Sequence, residues 1–325
     1  MGRHTLRILT AVAMFLVFLA ALPAAAAVRN LNAELGAANQ SLAAKQYTRA
    51  YQQYLHVAAN NALAQFNLGL IEREGWGRPR NPLAACTWFG KAAVGNIPAA
   101  QQFWGDCLAQ GIGQPADGKA AERWYRKAAQ SGISYALCSA GALYISGQVL
   151  DKNISHGLAL CTQAAQAGSS AAMLRLADYF REGRELPQDL TAARDWYLQA
   201  AQMHDPVAQY RLGIMLSQGE GGDADPKLAL KWLEQAAMDG YAPAYLPVAI
   251  LYSNDDPDPK TGALTPDSLA KIYMWNRMAK ATTTDPAALA QITRIEQLVD
   301  AVMPEQWRPI LDRRVAEHQA RFATE

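Results

Sequence analysis

The sequence predicts an all-α protein, a solenoid of tandem helix pairs, on three series that share one period. Small residues fall at Gly69, Gly105, Gly141, Ala177, Gly213 and Ala249, each 36 residues after the last. Trp88, Trp124, Leu160, Trp196 and Trp232 keep the same interval, as do the Ala-Ala pairs at 92–93, 128–129, 164–165, 200–201 and 236–237. One fixed period in this range marks a repeat architecture, in which each unit buries its apolar face against the next. An Ala-rich, Gly-punctuated composition with few β-branched runs assigns those units to helices.

Residues 1–27 read as a signal peptide outside the repeats. Arg3 and Arg7 supply a positive start, Ile8 to Leu22 is apolar or small apart from Thr10, and Pro23 precedes the small Ala25-Ala26-Ala27. An apolar core of about 15 residues is short for a bilayer span, which needs about 20. The competing reading is an uncleaved anchor that includes the alanines. No Cys follows the cleavage site to carry a lipid. Removing the leader leaves 28 Lys+Arg against 29 Asp+Glu, a net charge of −1. That balance argues against nucleic acid or an anionic membrane surface as the main partner.

Residues 98–133 show the unit most clearly. Ala100 to Gln110 reads as helix A, with Ala100, Trp104, Gly105 and Leu108 on one stripe. Gly111-Ile112-Gly113-Gln114-Pro115 turns the chain. Lys119 to Gln130 reads as helix B, with Ala120, Trp124, Ala128 and Ala129 on its stripe, and Gly132 suits its C-terminal cap. A glycine inside helix A costs about 1 kcal/mol relative to Ala. Its recurrence predicts a place where two helices touch too closely for a side chain, with the Trp filling the wider gap beside it.

The domain assignment follows. A degenerate N-terminal helix pair occupies 28–61, and six repeats occupy 62–97, 98–133, 134–169, 170–205, 206–241 and 242–284. The sixth has a turn longer by seven residues, since Trp275 lies 43 after Trp232. Residues 285–325 form the C-terminal cap, with helices expected over Pro286 to Val302 and Pro304 to Phe322.

Residues 64–93 present Ala64, Leu68, Gly69, Gly75, Ala84, Trp88, Phe89, Ala92 and Ala93, a pattern that resembles the Sel1-like repeat family. The resemblance covers about residues 30–284. It implies a right-handed α/α solenoid of antiparallel helix pairs that acts in protein–protein interaction and complex assembly. The third unit departs from the pattern, with Leu160 and Cys161 in place of the aromatic pair.

Cys86, Cys107, Cys138 and Cys161 are an even set behind a signal peptide, which permits disulfides. Cys86 lies 10 residues before the turn near Asn96 and Cys107 lies 11 after it, so antiparallel helices set them at matching heights. Cys138 and Cys161 flank residue 151 at 13 and 10 residues, slightly off level. The expected pairs are Cys86–Cys107 and Cys138–Cys161. The alternative is that all four are small buried residues. With no C-x-x-C and no neighbouring His, the sequence offers no metal site and calls for no cofactor.

Ser268-Leu269-Ala270-Lys271, Tyr252-Ser253-Asn254 and Lys260-Thr261-Gly262 imitate serine β-lactamase motifs. Their order is reversed and they crowd into one stretched turn and helix, so they read as coincidence. Asp255-Asp256-Pro257-Asp258 lacks the glycine and terminal Glu of a calcium loop.

The A-helix positions that the buried stripe leaves over are where a partner would bind. Counting from each small residue places Asn67 and Arg73 in the first repeat, and Arg175, Arg181, Tyr210 and Arg211 in the fourth and fifth. Arg and Tyr are enriched at binding hot spots, and guanidinium groups suit an acidic peptide or a C-terminal carboxylate. The reading is a non-catalytic periplasmic scaffold that binds another envelope or secreted protein. The alternatives are a cell-wall enzyme, penicillin-binding or peptidoglycan-acting, and a glycan-binding module that uses an exposed ring such as Trp76.

Overall fold

The computed structural model describes residues 33–254 and 263–322, which divide into compact units at 33–153 and 154–322. The expected leader lies outside the described residues, as do Asp255-Asp256-Pro257-Asp258 and Lys260-Thr261-Gly262. The first unit holds α1 (33–43), α2 (Tyr47–Val57), α3 (Ala62–Glu74), α4 (Pro82–Val94), α5 (Pro98–Gln110), α6 (Gly118–Gln130) and α7 (Tyr135–Ser146). In the second are α8 (Ile154–Gln166), α9 (Ser170–Glu182), α10 (Leu190–Gln202), α11 (Pro206–Gln218), α12 (Pro226–Met238) and α13 (Tyr245–Ser253). It ends with α14 (Pro266–Thr282), α15 (Pro286–Asp300) and α16 (Arg308–Phe322). Each unit is a run of helix pairs, and the fold class is the all-α solenoid of the sequence reading.

Local chemistry sets the register. The side chains of Asn81, Asp117, Asp189 and Asp225 accept the N–H groups of Ala84, Ala120, Ala192 and Leu228 at 2.8–3.0 Å, starting each B helix at one phase. Each such cap contributes about 1 kcal/mol. Helix A stops at a left-handed glycine: Gly75, Gly111, Gly147, Gly183 and Gly219 have φ of 64–74°. The turn then closes on itself, with Asn81 N–H donating to the Glu72 carbonyl at 2.8 Å and Asp117 N–H to that of Leu108 at 2.9 Å. Asp189 and Asp225 repeat this bond onto Phe180 and Leu216. Between pairs the chain turns through Asn96, Gly132, Gly168, His204 and Gly240, all at positive φ.

The close approach of helices A and B falls at the small residues, but the tryptophans do not fill it. A Cβ on Gly69 would lie 2.5 Å from the Phe89 ring, one on Gly105 2.6 Å from that of Tyr125, and one on Gly213 2.5 Å from Leu233 Cγ. Phe89, Tyr125, Tyr197 and Leu233, each one residue past the tryptophan, are the buried members. Trp88, Trp124, Trp196 and Trp232 are only half-buried, and the first two pack elsewhere: Trp88 against the cluster around Tyr54 and Leu68, Trp124 against Ala92, Ala93 and Ala100. Successive helix residues diverge by about 100°, so one faces helix A of its own pair and the next faces a neighbouring pair.

The ends differ from expectation in detail. Helix α15 stops at Asp300 rather than Val302, and a 3₁₀ turn over Glu305–Trp307 precedes α16. Pro309 accounts for the late start of α16, because proline fits only the first turn of a helix. Helix α16 buries Leu311 and Val315, and its His318 Nε2 lies 3.3 Å from the Tyr245 hydroxyl.

Two predictions follow from this register. Gly105→Val forces the Tyr125 ring away and should cost about 1–3 kcal/mol in urea unfolding. An unchanged midpoint would contradict the close contact. His204 occupies a left-handed position, φ 60°, where its repeat counterparts Gly132, Gly168 and Gly240 are glycine. Removing its Cβ strain with His204→Gly should stabilise the fold by about 1 kcal/mol, read as a raised Tm.

Candidate interaction surface

The first unit places Asn67 and Arg73 on α3, in the A-helix register. Phe66 of the same helix stacks on Phe103 of α5, with centroids 6.1 Å apart and planes at 12°. Phe103 in turn packs on Phe89 at 4.9 Å. The Arg73 guanidinium lies 4.2 Å from the Phe103 centroid, and its Nε pairs with Glu74 at 2.6 Å. Phe66, Phe103 and Arg73 therefore form a half-exposed aromatic–cation platform, and Asn67 is half-buried on the same helix. Beside the platform Gln102 donates to Ser139 Oγ at 3.0 Å and to Asp106 at 3.2 Å. Tyr125 donates to the same Asp106 at 2.7 Å.

Cys86 of α4 and Cys107 of α5 form a disulfide with Cα atoms 5.8 Å apart, beneath this platform in the cluster of Phe89 and Phe103. Cys138 and Cys161 are also half-cystines, and no cysteine among the described residues is free.

In the second unit Arg211 Nη1 of α11 pairs with Asp178 Oδ1 of α9 at 3.0 Å, and Asp178 also accepts the Tyr197 hydroxyl. Arg181 pairs with Glu220 at 3.5 Å. The Tyr210 ring packs on Tyr241 at 5.4 Å. The structure therefore brings Arg211 to Asp178 rather than leaving its charge open, while Arg175 lies half-buried on α9. Partly exposed pairs of this kind contribute less than about 1 kcal/mol each. Their larger effect is to fix side-chain positions on the A-helix face.

The sequence reading missed the unit that recurs here, a tyrosine hydroxyl donating to a carboxylate that a cation also holds. Tyr51, Glu72 and Arg78 form one, at 2.8 and 3.3 Å; Tyr144, Glu122 and Arg126 another, at 2.9 and 2.8 Å. Tyr252, Glu234 and Lys271 make a third, at 2.9 and 3.5 Å. A signal was present. Asp106 and Asp178 follow the small residue of helix A by one, as Tyr125 and Tyr197 follow the tryptophan.

Lys271, from the β-lactamase-like strings, is held within the fold by polar contacts. Its Nζ donates to the Tyr252 hydroxyl at 2.9 Å and lies 3.3 Å from Asp267. Burial alone would lower its pKa, but the Tyr252 hydrogen bond and the charge of Glu234 raise it above the ordinary lysine value. Trp76 stacks on Tyr47 at 5.8 Å, so one face of its ring is occupied. Among the described residues no group of His, Cys, Asp and Glu could hold a metal, and no helix is long and apolar enough to cross a membrane.

The model of the Sel1 repeat matches residues 62–93, 98–133, 134–169, 170–205 and 206–241. The chain belongs to the Sel1 repeat family. A Sel1 repeat protein from Oxalobacter formigenes is 28% identical, with a TM-score of 0.54 over 77% of this chain and 100% of that one. A protective antigen of uropathogenic Escherichia coli with an SLR fold is 26% identical, at a TM-score of 0.49 over 88% of this chain and 61% of that one. The immunity protein Pa5087 of Pseudomonas aeruginosa is 21% identical, at a TM-score of 0.45 over 71% and 90%. None of the curated proteins matches the chain. Sel1 repeat proteins are in general non-catalytic scaffolds for protein interaction.

The tyrosines give the Sel1 units a defined pH response. Burial pushes the phenols of Tyr54 and Tyr252 up to about 12, helped at Tyr252 by its hydrogen bond to Glu234. Tyr197 is raised further, by burial and then Asp178. A raised phenol stabilises the fold fully below its unfolded pKa of about 10 and loses that contribution as pH rises through the folded value. These phenols should therefore make the Tm fall steeply above pH about 10. A Tm indifferent to pH in that window would contradict the buried phenols.

Proposed function

We propose that this Sel1 repeat protein is a non-catalytic scaffold of the periplasm, one that binds another envelope or secreted protein through the A-helix face of its fourth and fifth repeats. The single observation that carries the reading is the set of side chains which packing leaves over there. Tyr210 is half-exposed against Tyr241, and Arg211 and Arg181 are held in fixed positions by Asp178 and Glu220. Ordered Tyr and Arg side chains bind with little further loss of freedom.

The internal pairing sharpens the chemistry of the partner. Arg211 and Arg181 already carry counter-charges, so the face offers a mixed polar and aromatic surface rather than an open cationic one. Arg175 occupies on α9 the repeat position that Arg211 occupies on α11, one residue past the register of Tyr210. The exported setting is supported by the leader-like N-terminus and by the half-cystines, since disulfides persist in oxidising compartments.

The test is capture of partners from a periplasmic extract of the native host by the purified chain. Tyr210→Ala with Arg175→Ala should weaken capture at least about thirtyfold, the effect of losing one hot spot of 2 kcal/mol or more. The circular dichroism spectrum should remain helical. Undiminished capture by a folded double variant would retire the face.

A further inference from the structure

The near-neutral sequence conceals a division of charge. Residues 33–153 carry 11 Lys+Arg against 7 Asp+Glu, whereas residues 154–325 carry 16 against 22. In the first unit the carboxylates are largely engaged within the fold. Glu72, Glu74 and Glu122 pair with Arg78, Arg73 and Arg126, Asp106 accepts from Tyr125, and Asp117 caps α6. Lys45, Arg49, Arg80, Lys119 and Arg123 are exposed and make no ion pair among the described residues.

Those five cations share one edge. Lys45 and Arg49 flank the start of α2, Arg80 sits in the turn before α4, and Lys119 and Arg123 lie in the first half of α6. The turns that carry them lie side by side. A Cβ on Gly77 would meet Tyr47 Cβ at 2.8 Å, and one on Gly113 would meet the Leu83 side chain. A groove of about 630 Å³ runs along the first of these contacts, lined by Lys45, Tyr47, Arg49 and Gly77. Near the opposite edge, formed by turns through Asn96 and Gly132, Lys91 and Lys127 lie over the rings of Trp88 and Trp124.

We infer that this turn edge of the first unit is a docking surface for the anionic headgroups of a lipid bilayer. The cations are strung along successive turns rather than gathered in a cleft, which suits a charged plane better than a single carboxylate. Beside them Leu83 is 57% exposed, and the Trp76–Tyr47 stack supplies amphipathic rings of the kind that sit at headgroup depth. Each Lys or Arg near an anionic surface contributes about fivefold in partition, and the attraction fades within a Debye length. The whole-chain charge sums this basic first unit with an acidic surplus in residues 154–325.

The test is partition of the full chain onto phosphatidylcholine vesicles with and without phosphatidylglycerol, across a salt series. The wild type should bind the phosphatidylglycerol vesicles and be released by salt. Arg49→Gln/Arg80→Gln/Lys119→Gln should lower that partition about a hundredfold with an unchanged circular dichroism melt. Lys231→Gln/Arg313→Gln/Arg314→Gln, exposed cations of the second unit, should leave it unchanged. Equal binding to both vesicles, no binding, or equal loss in both triple variants would overturn the surface. Capture of polyglutamate by the wild type but not the first variant, without vesicle binding, would overturn the lipid assignment in favour of an acidic polypeptide.

Discussion

Three of the helix pairs depend on one contact, the seating of a buried side chain of helix B over a small residue of helix A. Phe89 over Gly69, Tyr125 over Gly105 and Leu233 over Gly213 bring the two backbones close at one fixed height. Interiors packed to crystal density leave no slack at such a contact, so the height propagates to the turns and caps on either side. The glycine's cost within helix A is offset by the area its partner buries. Ala177, in register with Tyr197, carries one methyl at this beat, and both residues are fully buried.

Once that contact fixes the pairs, the polar groups follow from it. A tyrosine ring seated in the seam points its hydroxyl outward toward helix A, where a carboxylate one residue past the small position can receive it. Asp106 and Asp178 do so, and Asp178 hands its second interaction to Arg211 of the next pair. The A-helix face is therefore ordered by the core beneath it. The disulfide between Cys86 and Cys107 adds a covalent tie in the same cluster, next to the Arg73 platform.

Much of this was legible in the residues. The period gave the helix pairs, their phases and the left-handed glycines, because each rests on a local backbone requirement. The seam was half legible. The small residue announced a close approach, but two neighbouring bulky residues, Trp124 and Tyr125, competed to fill it. Helix phase chooses Tyr125. The interaction face was less legible, since a spacing rule can say which side chains leave the core and cannot say which meet each other. Arg211 and Asp178 are 33 residues apart, and their pairing depends on how α9 and α11 stack. Net charge was the weakest guide, because summation erased a division that only the grouping of residues into units reveals.

The scaffold reading and the membrane-facing edge use different helix pairs, and both rest on the seam holding its height. A double-mutant cycle on Gly105 and Tyr125 tests that constraint most directly. Gly105→Leu alone fills the space that the ring needs, and Tyr125→Ala alone empties it. Combined, they should regain much of the stability each loses, with a coupling of at least about 1 kcal/mol by urea unfolding. Losses that simply add, to within about 0.5 kcal/mol, would contradict the account.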